Sequence, residues 1–270
     1  GMVKPATSAI LEEHMRIINS YYSNLIEGNS THPREIRKAM QGDYDSDPVK
    51  RDLQLESLAH INVQRQLGEL ETSNEYLLSE QCLLDIHRMF YDGIPESLRI
   101  VKSESGKALK VIPGQFRTEG VQVGRHVAPA SGDISLFIKR FSEAYRLDWL
   151  RGQKRVIAAM SAHHRFVWIH PFLDGNGRVG RLYTDLFLRT IGIGGYGIWC
   201  LSRGLARSNS EYKSVLARAD HPRQGDRDGR GALSESNLVS FCEYMLKTAI
   251  DQVEYMTDML DLQGMEKRIR

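Results

Sequence analysis

Within the fourteen residues Ile169–Leu182, which read IHPFLDGNGRVGRL, the chain places a histidine, an aspartate, an asparagine, three glycines and two arginines. His170 is the side chain here able to accept a proton near neutral pH, because the ordinary pKa of imidazole lies there. A helix cannot run through His170-Pro171 unbroken, since proline lacks an amide hydrogen and disfavours a helical predecessor. His170 therefore stands at a helix end, where its ring can face a cleft. Asp174-Gly175-Asn176-Gly177 reads as a tight turn, and apolar spacing resumes at Val179, Leu182 and Leu186. A glycine-rich turn that feeds a helix N-terminus directs several backbone N–H groups at one point and suits an anion. Arg178 and Arg181 lie three residues apart on one face of the new helix's first turn, where cations oppose the helix dipole. Two of them there point to a compensating polyanion. Asp174 beside that anion is an oxygen ligand suited to Mg²⁺, which is commonly held by one or two carboxylates plus phosphates.

This set predicts phosphoryl chemistry on a nucleotide. Fixed N–H groups, two guanidinium groups and a metal would spread charge on a leaving group while His170 takes a proton from an attacking hydroxyl. A zinc site from His163, His164, His170 and Asp174 is the competing arrangement. It fits poorly: His163 and His164 are adjacent and so face different directions on one helix, and Pro171 spoils the helical spacing to His170. They read as packed residues near the site.

The stretch HPFLDGNGRVGR, His170 to Arg181, resembles the signature of the Fic-domain family, His-Pro-Phe-x-Asp/Glu-Gly-Asn-Gly-Arg-x-x-Arg, at every fixed position. The resemblance implies a mostly α-helical fold, a helical bundle with a β-hairpin flap over the active site. It also implies transfer of AMP from ATP, as co-substrate, to a Ser, Thr or Tyr hydroxyl of a target protein, with release of pyrophosphate. By that likeness His170 would be the base and Asp174 the Mg²⁺ ligand. Gly175, Asn176 and Gly177 would bind phosphate, with Arg178 near the β-phosphate and Arg181 near the γ-phosphate. Relatives that use nucleotides in other orientations often carry lysine where Gly177 stands, so glycine favours AMP transfer.

The likeness extends from about Leu83 to Leu246. LLDIHRMFYDGI is similar to the family's early core helix. PGQFRTEGVQVGRHVAP resembles the flap that pins a target segment by β-addition, which would involve Phe116, Arg117, Val121 and Val123; a plain structural hairpin is the alternative. SEYKSVL places Tyr212 where relatives often have a tyrosine near the adenine. SNLIEGN, Ser23 to Asn29, resembles the family's inhibitory helix. There Glu27, with Ser23 in the same motif, would bridge to Arg181 and block placement of the γ-phosphate, as the geometry of arginine–carboxylate pairs allows. Its N-terminal position implies a self-restrained enzyme of class II. The same residues could instead remove AMP, with Glu27 directing water, or serve a non-catalytic nucleotide-sensing module.

The elements that must position these residues read mostly as helices. Apolar residues at helical spacing run from Ser8 to Ile26, and Gly28 suits a left-handed cap with Pro33 beyond it. QGDYDSDP is a second break, followed by expected helices from Pro48, from Ser79 to Tyr91, from Ser131 to Leu150, and from Gly152 to the motif, the last with Val156, Met160, His164 and Val167 on one face. Val111–Pro129 alternates with period two on both sides of Glu119-Gly120, a hairpin signal. A polar loop begins at Asp220, and a last helix begins near Ser234 or Ser236. Residues 1–70 read as an N-terminal helical region carrying the inhibitory motif, and 71–265 as the catalytic core. Gly1 ahead of Met2 reads as a cloning remnant, and the chain ends in a charged helix that suggests a further domain.

The whole chain bounds the answer without choosing it. The 270 residues carry a net charge of +2, which gives no support for nucleic-acid contact. The apolar stretch IGIGGYGIWCL is far shorter than the roughly 18 residues of a membrane span. Cys82, Cys200 and Cys242 are odd in number, without metal spacing, and read as reduced buried thiols of a cytoplasmic protein. ATP and an unidentified target protein are the expected partners. By analogy with the family, a homodimer is a further possibility.

Overall fold

The computed structural model describes residues 5–102, 106–193, 195, 197–229 and 231–261. Helices α7 (Gln153–Ile169) and α8 (Asn176–Thr190) pack against each other and bracket the loop 170–175. Gly180 permits their close approach, because a Cβ there would lie 3.1 Å from the ring of Phe166 and 3.2 Å from Val167. Around this pair lie α1 (Pro5–Ile26), α2 (Pro33–Met40), α3 (Pro48–Glu69), α4 (Asn74–Leu77), α5 (Glu80–Asp92), α6 (Ile134–Ala144), α9 (Leu201–Arg207), α10 (Asn209–Ala219) and α11 (Glu235–Leu260). The core is aromatic: Phe90, Phe166, Phe172, Tyr183, Phe187 and Phe241 are fully buried. Each such side chain contributes roughly 1.5–3 kcal/mol of burial free energy. Ile26 from α1 and Ala59, Val63 and Leu67 from α3 belong to this same core. The N-terminal helices are thus built onto the pair that carries the site.

Helix starts follow local chemistry. Asp47 accepts from the Val49 amide with Pro48 in the first turn, Ser79 accepts from Cys82, and Ser234, not Ser236, caps α11 by accepting from Asn237. Pro33 opens α2, for the same reason that proline suits a first helical position. The helix expected over Ser131–Leu150 is shorter: a 3-10 turn covers Ser131–Asp133 and α6 ends at Ala144. Beyond it, Arg155 donates to the carbonyls of Leu150 at 3.0 Å and Leu147 at 3.3 Å, which satisfies a loop in place of another helical turn. The short helices α4 and α9 carry no long periodic signal and were not anticipated.

The strands are few. β3 (Gln122–Val123) pairs antiparallel with β4 (His126–Val127), Gln122 opposite Val127 and Val123 opposite His126. Its turn lies at Gly124-Arg125, with Gly124 at φ +60, and not at Glu119-Gly120 as the alternation suggested. A second hairpin, β1 (Ile100–Lys102) with β2 (Ala108–Lys110), was not expected. Cys82, Cys200 and Cys242 are buried free thiols. Among the described residues no helix is long and apolar enough to cross a membrane. The charged C-terminal stretch from 262 lies outside the described residues.

Candidate active site

α7 ends at Ile169, and the chain leaves it through His170 at φ 48 and ψ 58, the non-glycine residue with positive φ among those described. Left-handed backbone costs an ordinary L-residue roughly 1–2 kcal/mol, so the surroundings must hold it. The His170 amide still donates to Phe166 O, and its Nδ1 donates to Val167 O across 3.3 Å. That bond, an assignment from the network, leaves the Nε2 lone pair bare. Burial pushes the imidazole down to about 4, helped by the charges of Arg117 and His126. The ring is therefore neutral at physiological pH.

Two side chains hold the loop that follows. Arg117, only 4% exposed, donates from Nε to His170 O at 2.8 Å, from Nη1 to Glu119 O at 2.8 Å and from Nη2 to Pro129 O at 2.6 Å. Its amide donates to Pro171 O. It fastens both ends of the flap to the histidine loop, and its guanidinium is not at the surface where a docking role would put it. Asn176, 2% exposed, accepts from the Phe172 amide at 2.9 Å and donates to Phe172 O at 2.8 Å. Its side chain closes the turn through one N–H and one lone pair of its amide. Phe116 packs on Phe172 with ring centroids 5.5 Å apart. Val121 is half-buried, whereas Val123 on β3 is 48% exposed and Val127 on β4 is 70% exposed.

The charged groups meet at the first turn of α8. Gly175 precedes it at φ +82, and a Cβ there would come within 2.8 Å of the Tyr91 ring. Tyr91 donates its hydroxyl to Asp174 Oδ2 at 2.5 Å, and Arg178 Nη2 reaches the same oxygen at 3.2 Å. Oδ1 takes part in neither contact. Arg178 Nη1 is paired with Glu56 of α3. Arg181, 3% exposed, donates from Nε to Ser23 Oγ and from Nη2 to Ser23 O, both at 2.9 Å, and from Nη2 to Glu27 Oε1 at 2.7 Å. Burial raises the Glu27 carboxyl, but Arg181 and Arg178 outweigh it and hold the group below its usual range. Gly177 faces that carboxylate so closely that a Cβ would overlap Glu27 Oε1. His170, Asp174, Gly177, Arg178, Arg181, Ser23 and Glu27 are thus gathered around one turn.

Tyr212, expected near the adenine, lies beside Arg181. It is 3% exposed, and its hydroxyl lies 2.8 Å from His163 Nε2, whose Nδ1 is 2.7 Å from Thr184 Oγ1. Thr184 in turn donates to Gly180 O, so the network assigns Nδ1–H to His163 and makes Tyr212 the donor to Nε2. The hydroxyl is thus held in a buried chain that also lies within the influence of Arg181 and Glu27. His164 pairs with Asp220 at 2.9 Å. Both histidines are engaged away from His170, and among the described residues no group of three or more His, Cys, Asp or Glu side chains is placed to hold a metal ion. An Mg²⁺ that also takes phosphate oxygens needs fewer protein ligands, and Asp174 with a bare Oδ1 fits that requirement.

Glu56 and Tyr91 are the site residues that sequence reasoning missed. Glu56 lies among the charges of a long helix and reads as a solvent face; no spacing links it to Arg178. Tyr91 sits in a helix whose apolar period marks it as core, and nothing local shows that its hydroxyl reaches Asp174.

Residues 77–188 match the model of the Fic/DOC family. Among curated proteins the chain is similar to protein adenylyltransferase Fic of Culex quinquefasciatus, 28% identical over 186 residues, covering 67% of this chain and 33% of that protein. It is also similar to protein adenylyltransferase Fic of Drosophila willistoni, 34% identical over 99 residues, covering 37% of this chain and 20% of that protein. The chain therefore spans a third or less of the length of these relatives. In fold it is similar to a Fic domain containing signaling protein from Bacteroides thetaiotaomicron, with a TM-score of 0.71 at 18% identity over 95% of this chain and 90% of that one. A Fic family protein from Desulfovibrio desulfuricans G20 aligns with a TM-score of 0.69 at 21% identity, over 95% and 67%.

Proposed function

Residues 77–188 of this chain are a Fic/DOC family domain, and from that premise we propose that the protein is an adenylyltransferase held in a restrained state. In the proposed reaction a Ser, Thr or Tyr hydroxyl of a target protein attacks the α-phosphorus of ATP. The bond from that phosphorus to the oxygen bridging to the β-phosphorus breaks, and pyrophosphate leaves with the bonding pair. The hydroxyl proton goes to His170 Nε2. A neutral, left-handed histidine with Nδ1 already bonded to Val167 supports this role. The amides at the start of α8, with Arg178 and Arg181, would take the charge of the departing phosphates. Asp174 would hold Mg²⁺, which neutralises polyphosphate charge when bound. A target segment would add to the flap beside Val121 and Val123.

Restraint rests on one observation: Arg181, the cation proposed for the γ-phosphate, is clasped by Ser23 and Glu27. The test is intact-mass analysis after incubation with ATP and Mg²⁺, wild type against Glu27→Gly, alone and with cell lysate. Glu27→Gly should gain AMP on itself or on a lysate protein, at least ten-fold more than wild type. The reading fails if Glu27→Gly binds ATP yet leaves AMP on nothing.

The reverse reaction has an observation in its favour. The charge of Glu27 is felt at His170, where it raises the proton affinity of the imidazole, and in this direction the same carboxylate would direct a water onto AMP-modified target. Release of AMP from a labelled target by wild type, and not by Glu27→Gly, would assign that direction.

A further inference from the structure

The two arginines near the start of α8 are held by different parts of the chain. Arg181 is engaged by the end of α1, whereas Arg178 is engaged by α3 through Glu56. Arg178 Nη2 adds the contact to Asp174, its guanidinium carbon lies 4.9 Å from the Phe90 ring centroid, and its buried Nε has no hydrogen-bond partner. Burial pushes this guanidinium down to about 10, so it stays charged at neutral pH. Glu56 is itself held: its Oε2 accepts from Asn29 Nδ2 at 2.8 Å, and the same amide donates to Leu53 O at 3.2 Å. Asn29 follows Glu27 by two residues, across Gly28 at φ +96. One short segment therefore places Glu27 on Arg181 and Asn29 on the carboxylate that occupies Arg178.

We propose that Glu56 is a second restraining carboxylate, which occupies Arg178 as Glu27 occupies Arg181 and is coupled to it through Asn29. The inference rests on the reading of the turn at 170–181 as a triphosphate cradle. A guanidinium offers a phosphate its N–H edge, and both terminal nitrogens of Arg178 already face carboxylates. A polyphosphate gains that cation only by displacing Glu56 from a partly buried pair. Removal of Glu27 alone leaves this second pair in place. Movement of the 27–29 segment takes away the hydrogen bond that orients Glu56, so release of one carboxylate loosens the other.

The experiment is calorimetric titration of Glu27→Gly and of Glu27→Gly/Glu56→Gln with ATP, ADP and AMP in Mg²⁺. The double variant should bind ATP and ADP at least five-fold more tightly than Glu27→Gly, with AMP affinity unchanged. Equal or weaker ATP binding would overturn the proposal, since Glu56 would then serve only to support Arg178. Because Glu56→Gln strips a buried arginine of its partner, Asn29→Ala in the Glu27→Gly background is the second variant. It keeps the ion pair and should tighten ATP at least two-fold; no gain would overturn the coupling. Failure of the cradle reading looks different: Glu27→Gly itself would bind neither ATP nor ADP, and both readings would fall together.

Discussion

The hydroxyl of Tyr91 donates to Asp174 Oδ2 across 2.5 Å, joining the middle of the core to the carboxylate at the mouth of the turn. Burial and the adjacent carboxylate push the phenol well above its ordinary range, so it remains a donor at every working pH. Tyr91→Phe should keep the fold and cost about 1.5–3 kcal/mol, the usual worth of a hydrogen bond to a charged group. On the proposed reading it should also raise the Mg²⁺ concentration for half-maximal AMP transfer by Glu27→Gly several-fold, with little change in rate at saturating metal. Thermal melts and a Mg²⁺ titration check the two halves separately.

Gly177 and Glu27 share one space, which makes their substitution non-additive. A methyl at Gly177 overlaps Glu27 Oε1, so Gly177→Ala should destabilise the wild type by about 1–2 kcal/mol. In the Glu27→Gly background the same change should cost less than half as much. Denaturant melts of the four proteins close the cycle; equal costs in both backgrounds would show that the clasp is not where the geometry puts it.

Arg117 should behave as a structural fastener. Arg117→Ala leaves the carbonyls of His170, Glu119 and Pro129 without their donor. We expect a loss of about 2–4 kcal/mol, a few hydrogen bonds of the charged kind. Limited proteolysis should then cut between 118 and 128 at least ten-fold faster, whereas Val123→Ala should leave both stability and cleavage unchanged and weaken only target modification.

Acid should unfold this protein early, and the sign follows from its histidines. Burial holds His60, His87 and His163 at about 3 and His170 at about 4, against 6.5 when exposed. The unfolded chain therefore binds more protons than the folded one between pH 6.5 and 4. Stability is full above 6.5 and is lost as pH falls through that window, by up to about 1.36 kcal/mol per pH unit for each histidine. Glu27, lowered in the folded state, adds a loss in the same direction at lower pH. Urea midpoints from pH 8 to 4 measure the slope, and a flat profile down to pH 5 would contradict it. Over the same range the His170 proposal expects a base-limited fall in the rate of Glu27→Gly only as pH approaches about 4.

The turn and the helices flanking it were readable because their signals are local. Pro171 breaks α7, glycines turn the chain, and apolar period restarts α8, all within a few residues. Ser79 and Asp47 mark helix starts for the same reason. Glu27 was visible only beside a motif it meets across the fold, and Glu56 not at all, since ion pairs between distant helices leave no spacing in the chain. Tyr212 is a residue whose local signal does not choose. An aromatic at helical spacing fits a ligand wall and a core equally, and here its hydroxyl closes a buried chain to His163 and Thr184. Alternation points to Glu119-Gly120 because it marks strands but not which glycine bends between them; the bend is at Gly124, at φ +60, while the Glu119 carbonyl is held by Arg117.

The start of α8 is met by counter-ions from the same chain. With Arg178 facing Glu56 and Asp174, and Arg181 facing Glu27, the first turn of α8 presents little net positive potential. Polyphosphates and nucleic acids drifting past should sense almost no attraction, and added salt should barely alter their weak association. On the proposed reading the site would become electrostatically visible only when the N-terminal helices withdraw their carboxylates, and the salt dependence of nucleotide capture would then report that withdrawal.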